Sequence, residues 1–192
     1  MTGWPRPVVR SAEPRDAGDI ARIYVESWRA TYAGILPNSL LVNLSVDRAS
    51  KSWRSRLEGY RRGSVRVATG EQGTVVGFGE AGRSRDALPR FSGEVFTLYV
   101  DPDHVDRGIG RALLRSLFAR CVESGHEGAV IWALADNPCR HFYSAIGGRI
   151  VAERDSVYWG RRLREVGYGW HDLPAWLSQP DSFQPTLRHR DD

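Results

Sequence analysis

The chain has 192 residues, 41% of them hydrophobic and 26% charged, which suits one folded domain and excludes a disordered or fibrous polymer. The net charge is +4, but Lys51 is the only lysine, and the arginines are scattered among 23 acidic residues. This pattern does not read as a nucleic-acid surface, although the mild positive balance favours an anionic ligand.

In chain order, Met1–Pro5 lacks the apolar core of a signal peptide, and no apolar run approaches the roughly 20 residues needed to cross a bilayer. A cytoplasmic protein without membrane contact is expected. Val8–Ala12 reads as a first strand, and Glu13-Pro14-Arg15-Asp16 opens a helix with acids and proline in its first turn. Ile20, Ile23, Tyr24 and Trp28 recur at helical spacing until Gly34 and Pro37. A second helix is predicted from a cap at Ser45 or Asp47 to about Tyr60. Residues 64–69 and 74–81 alternate as paired strands around Glu71-Gln72-Gly73, and 83–92 reads as a loop.

Glu94–Val100 is a strongly β-prone run. After a glycine turn, a helix is expected from Gly110 to Val122, ending at Ser124-Gly125. Ala129–Leu134 suits a strand buried on both faces, and Pro138–Ile146 a short helix. Residues 150–152 and 163–170 supply the last strands. The order is that of an α/β (α+β) fold, a mixed sheet with helices on both faces. A domain over residues 8–172 is expected, with 1–7 and 173–192 as flexible termini. Cys121 and Cys139 form no CxxC pair and lie in no His/Cys cluster, so free thiols and no metal site are expected.

The turn Arg107-Gly108-Ile109-Gly110-Arg111 lies between a strand and a helix. Glycines there let the first free N–H groups of the helix point at an anion, with the positive end of the helix dipole behind them. An ordinary loop-to-helix junction is the competing reading. The segment is neither a P-loop, lacking Gly-Lys-Ser/Thr, nor a GxGxxG turn, because position 113 is leucine.

Leu98-Tyr99-Val100-Asp101-Pro102, followed by Asp106-Arg107-Gly108-Ile109-Gly110-Arg111-Ala112-Leu113-Leu114, resembles motif A of the GNAT N-acetyltransferases. Asn137-Pro138 with Phe142-Tyr143 and Gly147-Gly148 resembles the segment that follows in that family, at the family's distance. Two positions depart: Val105 stands for a glutamine or arginine, and Gly148 for a phenylalanine. Trp28 to Pro37 and Tyr168 to Asp172 resemble the first-helix segment and last strand of a GNAT subgroup.

The resemblance implies a GNAT fold with a mostly antiparallel sheet of six to seven strands. It also implies acetyl-CoA as cosubstrate and direct transfer to a primary amine of a small molecule or peptide. Pyrophosphate would rest on the amides of Arg107, Gly108, Ile109, Gly110 and Arg111. Pantetheine would bond to backbone at Leu98, Tyr99 and Val100, where strands 94–100 and 129–134 must splay, and to Asn137. Tyr143 would also contact the cofactor and act as general acid toward the leaving thiolate, with Glu94 as base. As bland alternatives, Glu94 is a solvated strand-end acid and Tyr143 a core tyrosine. Trp28 and Tyr32, one helical turn apart, would form an acceptor wall or serve as core staples. Two function classes follow: an enzyme, or a non-catalytic acyl-CoA-binding module of the same fold. By analogy, a homodimer through edge strands is expected.

Overall fold

A computed structural model describes residues 7–59, 63–158 and 160–180. Its strands are β1 (Val8–Ser11), β2 (Val65–Thr69), β3 (Val75–Arg83), β4 (Gly93–Val100), β5 (Ala129–Leu134), β6 (Arg149–Tyr158) and β7 (Arg161–Trp170). The helices are α1 (Ala17–Tyr32), α2 (Asn38–Val42), α3 (Val46–Glu58), α4 (Ile109–Glu123), α5 (Arg140–Ala145) and α6 (Leu173–Ser178). The strands form one sheet in the order β1-β2-β3-β4-β5-β7-β6. Only the β4–β5 pair is parallel; the others are antiparallel.

Local chemistry accounts for most of the boundaries. Ser45 caps α3 by accepting from the Arg48 N–H at 3.3 Å, and the Tyr60 end expected for this helix lies outside the described residues. Gly125 follows α4 at φ 82°, the left-handed position that ends a helix. The alternating and turn-bounded runs become β2, β3 and β5, with β3 reaching Arg83 and so into the expected loop.

Two buried layers hold the sheet. On one face, Ile20, Ile23, Trp53 and Leu57 of α1 and α3 pack on Val65, Val67 and Phe78. On the other, Leu114, Leu117 and Phe118 of α4 pack with Val95, Ile131, Tyr168 and Trp170.

Three expectations change. Helix α2 is new; its five residues are too few to show a helical period. Strand β6 runs ten residues rather than three, because as an edge strand it pairs only with β7 and its polar residues can alternate with apolar ones without a core on both sides. Residues 173–180 are not a flexible terminus. Helix α6 starts at Asp172, whose carboxylate accepts from the Ala175 N–H at 2.8 Å, and it buries Leu173 and Trp176 against Phe118. Two apolar anchors in an otherwise polar tail are enough to hold one helical turn down. Residues 1–6 and 181–192, the rest of the expected termini, lie outside the described residues.

Candidate active site

Strand β4 carries the site. Its pairing with β5 covers only Gly93↔Ala129, Glu94↔Val130 and Val95↔Ile131. A bulge at Phe96 shifts its register against β3, where Glu80 faces Thr97 but Ala81 faces Val95. A bulge bends and twists its strand, and beyond it β4 leaves β5. The Asp101 N–H bonds to the Val76 C=O at 2.9 Å. In an antiparallel ladder that parity turns Tyr99 and Thr97 toward β3, and Leu98 and Val100 toward the gap. Ser27 Oγ donates to the Val100 carbonyl at 3.2 Å from the gap side. The Leu98 N–H and C=O and the Val100 N–H face the gap with no ladder partner among the described residues. The splay opens a cleft of about 230 Å³.

At the far end of β4, the glycine turn feeds α4. Asp106 has φ 60° and Gly108 φ 76°, with Arg107 at negative φ between them. This alternation points successive N–H groups to one side and makes an anion nest. Gly108 is the N-cap and offers no side chain to accept from the first-turn amides of the helix. Aspartate is among the few residues that tolerate positive φ, which suits Asp106 to the turn. Val105 is 53% exposed, so its departure from the family pattern removes a side chain that would point to solvent and leaves the backbone nest intact.

Tyr143 and Asn137 line the cleft from α5 and the loop before it. Tyr143 is buried and its hydroxyl makes no hydrogen bond among the described residues; burial pushes that hydroxyl well above the ordinary tyrosine value. Asn137 is fully engaged. Its Oδ1 accepts from the Cys139 N–H at 2.8 Å, shaping the entry to α5, and its Nδ2 donates to Tyr32 Oη at 3.2 Å. The Gly148 departure is explained by Trp170: a Cβ at 148 would stand 2.7 Å from that indole, so the ring takes the space a larger residue would fill.

Trp28 and Tyr32 meet in a tilted contact with ring centres 4.8 Å apart and line the cleft, while also packing on Leu36, Leu41 and Leu134. Core and wall are here the same residues. Trp28 Nε1 donates to Tyr99 Oη at 2.9 Å, fixing α1 to β4. Burial pushes the Tyr32 hydroxyl up to about 12, helped by the neighbouring Cys139 and opposed by the Asn137 hydrogen bond.

Glu94 is fully buried on the cleft wall, not a solvated strand end. Arg85 engages both of its oxygens: the main-chain N–H at 2.9 Å from Oε2, and Nε at 3.0 Å from Oε1 together with a second guanidinium nitrogen. The guanidinium also lies 4.9 Å from the Phe96 ring centre.

A second buried carboxylate was not anticipated. Glu165 of β7 accepts from Ser156 Oγ at 2.6 Å, Tyr158 Oη at 2.6 Å and Arg154 Nε at 2.7 Å. Burial alone would raise its pKa, but these hydrogen bonds and the Arg154 charge outweigh that and hold the carboxyl below its ordinary value. Arg154 lies 4.0 Å from the Trp132 ring centre and pairs with Asp86, tying the β6–β7 hairpin to the loop before β4. Thr97 Oγ1 and Trp132 Nε1, on residues that also line the cleft, are buried without a hydrogen bond among the described residues. A lone acid in the last strand, immediately before its buried run Val166–Trp170, was the available signal for Glu165.

Among the described residues no group of three His, Cys, Asp or Glu could hold a metal ion, and no helix is long and apolar enough to cross a membrane.

The chain matches the Acetyltransferase (GNAT) family over residues 20–147. It is 37% identical over 168 residues to the uncharacterized N-acetyltransferase YuaI of Bacillus subtilis (strain 168), a match covering 87% of this chain and 94% of that one. The fold aligns with YncA of Salmonella typhimurium, solved with acetyl-CoA, at TM-score 0.61, with 24% identity over 88% of this chain and 94% of that one. It aligns with the PaiA N-acetyltransferase of Thermoplasma acidophilum, solved with coenzyme A, at TM-score 0.59, with 18% identity over 86% of this chain and 98% of that one. The protein belongs to the GNAT family of acetyltransferases.

Proposed function

We propose that the protein transfers an acetyl group from acetyl-CoA to the primary amine of a small molecule or peptide, directly and within a ternary complex. The observation that carries this reading is the splay of β4 from β5. It leaves strand-like donors and an acceptor at Leu98 and Val100 facing a cleft that also holds Tyr143. A linear amide-bearing arm can pair there as an added strand. The amides of residues 107–111 then meet the pyrophosphate, with Arg107 and Arg111 adding positive charge.

The cosubstrate supplies the activated acyl carbonyl; the remaining chemistry belongs to the chain. A backbone N–H of β4 polarises that carbonyl. Tyr143, kept protonated by burial, gives a proton to the departing thiolate. Glu94 takes the amine proton, directly or through water. Trp28 and Tyr32 exclude solvent on the acceptor side.

The test is an assay of released CoA thiol across polyamines, amino acids, aminoglycosides and peptide N-termini, alongside a thermal shift with CoA. A shift with turnover on at least one amine is expected. No shift at saturating CoA sinks the cofactor assignment, and a shift without turnover on any amine turns the reading toward a non-catalytic acyl-CoA-binding module. Tyr143→Phe should retain CoA binding and lose about 100-fold in kcat.

A further inference from the structure

A second cavity adjoins the cleft at one ring. It is an open groove of about 620 Å³ between α1, α2 and the start of α3, reached by Arg161 at the beginning of β7. Tyr24 lines both spaces. Val25, Pro37, Leu40, Leu44 and Ala49 make most of the walls apolar, with the neutral polar residues Ser39, Asn43 and Ser45 among them. Arg29 holds the far wall in place by donating to the carbonyls of Leu41 at 3.2 Å and Leu44 at 2.9 Å. The groove is therefore shaped by the fold itself.

The charge on its rim has one sign. Arg48 and Arg161 line it, and no acidic side chain does among the described residues. Arg161 is exposed, and its side chain makes no hydrogen bond or ion pair among the described residues. Arg48 is exposed as well, and its guanidinium donates to the Asn43 carbonyl at 2.7 Å. The cleft beyond Tyr24 carries the buried carboxylates of Glu94 and Glu165, each paired with an arginine, Arg85 and Arg154.

On this basis we infer that the acceptor is a bipolar amine. Its amino group enters the cleft, an apolar middle lies along the groove, and an anionic end, carboxylate or phosphate, meets Arg48 and Arg161. Guanidinium groups pair well with either anion. A polyamine or an aminoglycoside would bring further ammonium groups against an apolar, cationic wall and is disfavoured. The inference deepens the acetyl-transfer reading and rests on it.

The test is calorimetric binding to the CoA-loaded full chain, so that it does not depend on turnover. The probes are ω-aminooctanoate and ω-aminododecanoate, their primary amides, and the aminoalkyl phosphates of the same lengths. At least one acid or phosphate should bind about tenfold more tightly than its amide. The double variant Arg48→Gln/Arg161→Gln should erase that difference while CoA affinity stays unchanged. Equal binding of acid and amide overturns the inference, as does a difference that survives in the double variant. A chain that is dimeric and is split by Leu40→Glu would assign the groove to a second copy, which also overturns it. Loss of CoA binding in the unsubstituted chain would instead count against the acetyl-transfer reading, and the same probes would then be titrated into the protein alone.

Discussion

The two halves of the cleft are built from different materials. On the side proposed for the cofactor the available groups are main-chain: the free edge of β4 at Leu98 and Val100, and the turn shaped by Asp106 and Gly108. On the acceptor side they are side chains: Glu94 gripped by Arg85, and Glu165 gripped by Arg154, Ser156 and Tyr158. Backbone groups recur at every residue, so shape alone decides whether they are available. A buried carboxylate needs named partners, and its energetics collapse if one is lost. The first half should tolerate changes of side chain that preserve shape; the second should not tolerate changes of charge.

The largest effect expected from this contrast is on stability. Glu165→Ala leaves Arg154 and Tyr158 without their shared partner and should cost about 3 kcal/mol, read by urea unfolding. On the cofactor side, Gly110→Glu places a carboxylate at the nest, where a Cβ would already stand 3.2 Å from Phe142, and CoA affinity should fall about 100-fold or more. Leu98→Ile and Val100→Ile should leave that affinity within about threefold, because their contacts are main-chain. A large loss in either strand variant would break the contrast.

Glu94→Gln should lower kcat for the acceptor by about 100-fold with CoA affinity unchanged. If CoA affinity falls with it, the two halves are not separable. The smallest effect is in pH dependence. The folded Glu165 carboxyl sits below its unfolded value, so its contribution is present above the unfolded value and is lost as pH falls through the folded one. Glu165→Gln should therefore flatten the acid limb of a Tm-against-pH curve below about pH 4.5, near the unfolded glutamate value.

Sequence reading named most residues of the proposed cofactor half and few of the proposed acceptor half. Glycine before a helix, a β-branched strand and Asn137/Tyr143 at fixed spacing are local patterns, and local patterns survive in one dimension. Arg85 and Arg154 meet their carboxylates across loops and strands, Arg154 reaching Asp86 from 68 residues away. Nothing in the one-dimensional order pairs them among the many arginines of this chain. Trp28 and Tyr32 were legible as a pair but not in their double duty as core and wall. Helix α6 was missed because its anchoring comes from Phe118 in α4, not from any periodicity of its own.

By itself the sequence determined the order of elements, the glycine-capped helix and the apolar faces that make a two-layered sheet. These follow from the hydrophobic period and from the φ angles glycine allows. Only the tertiary structure decided which backbone groups stay unpaired and which charges are buried together. Both depend on how far β4 runs beside β5 before the bulge at Phe96 turns it away, and on which side chains the β6–β7 hairpin brings across the opening.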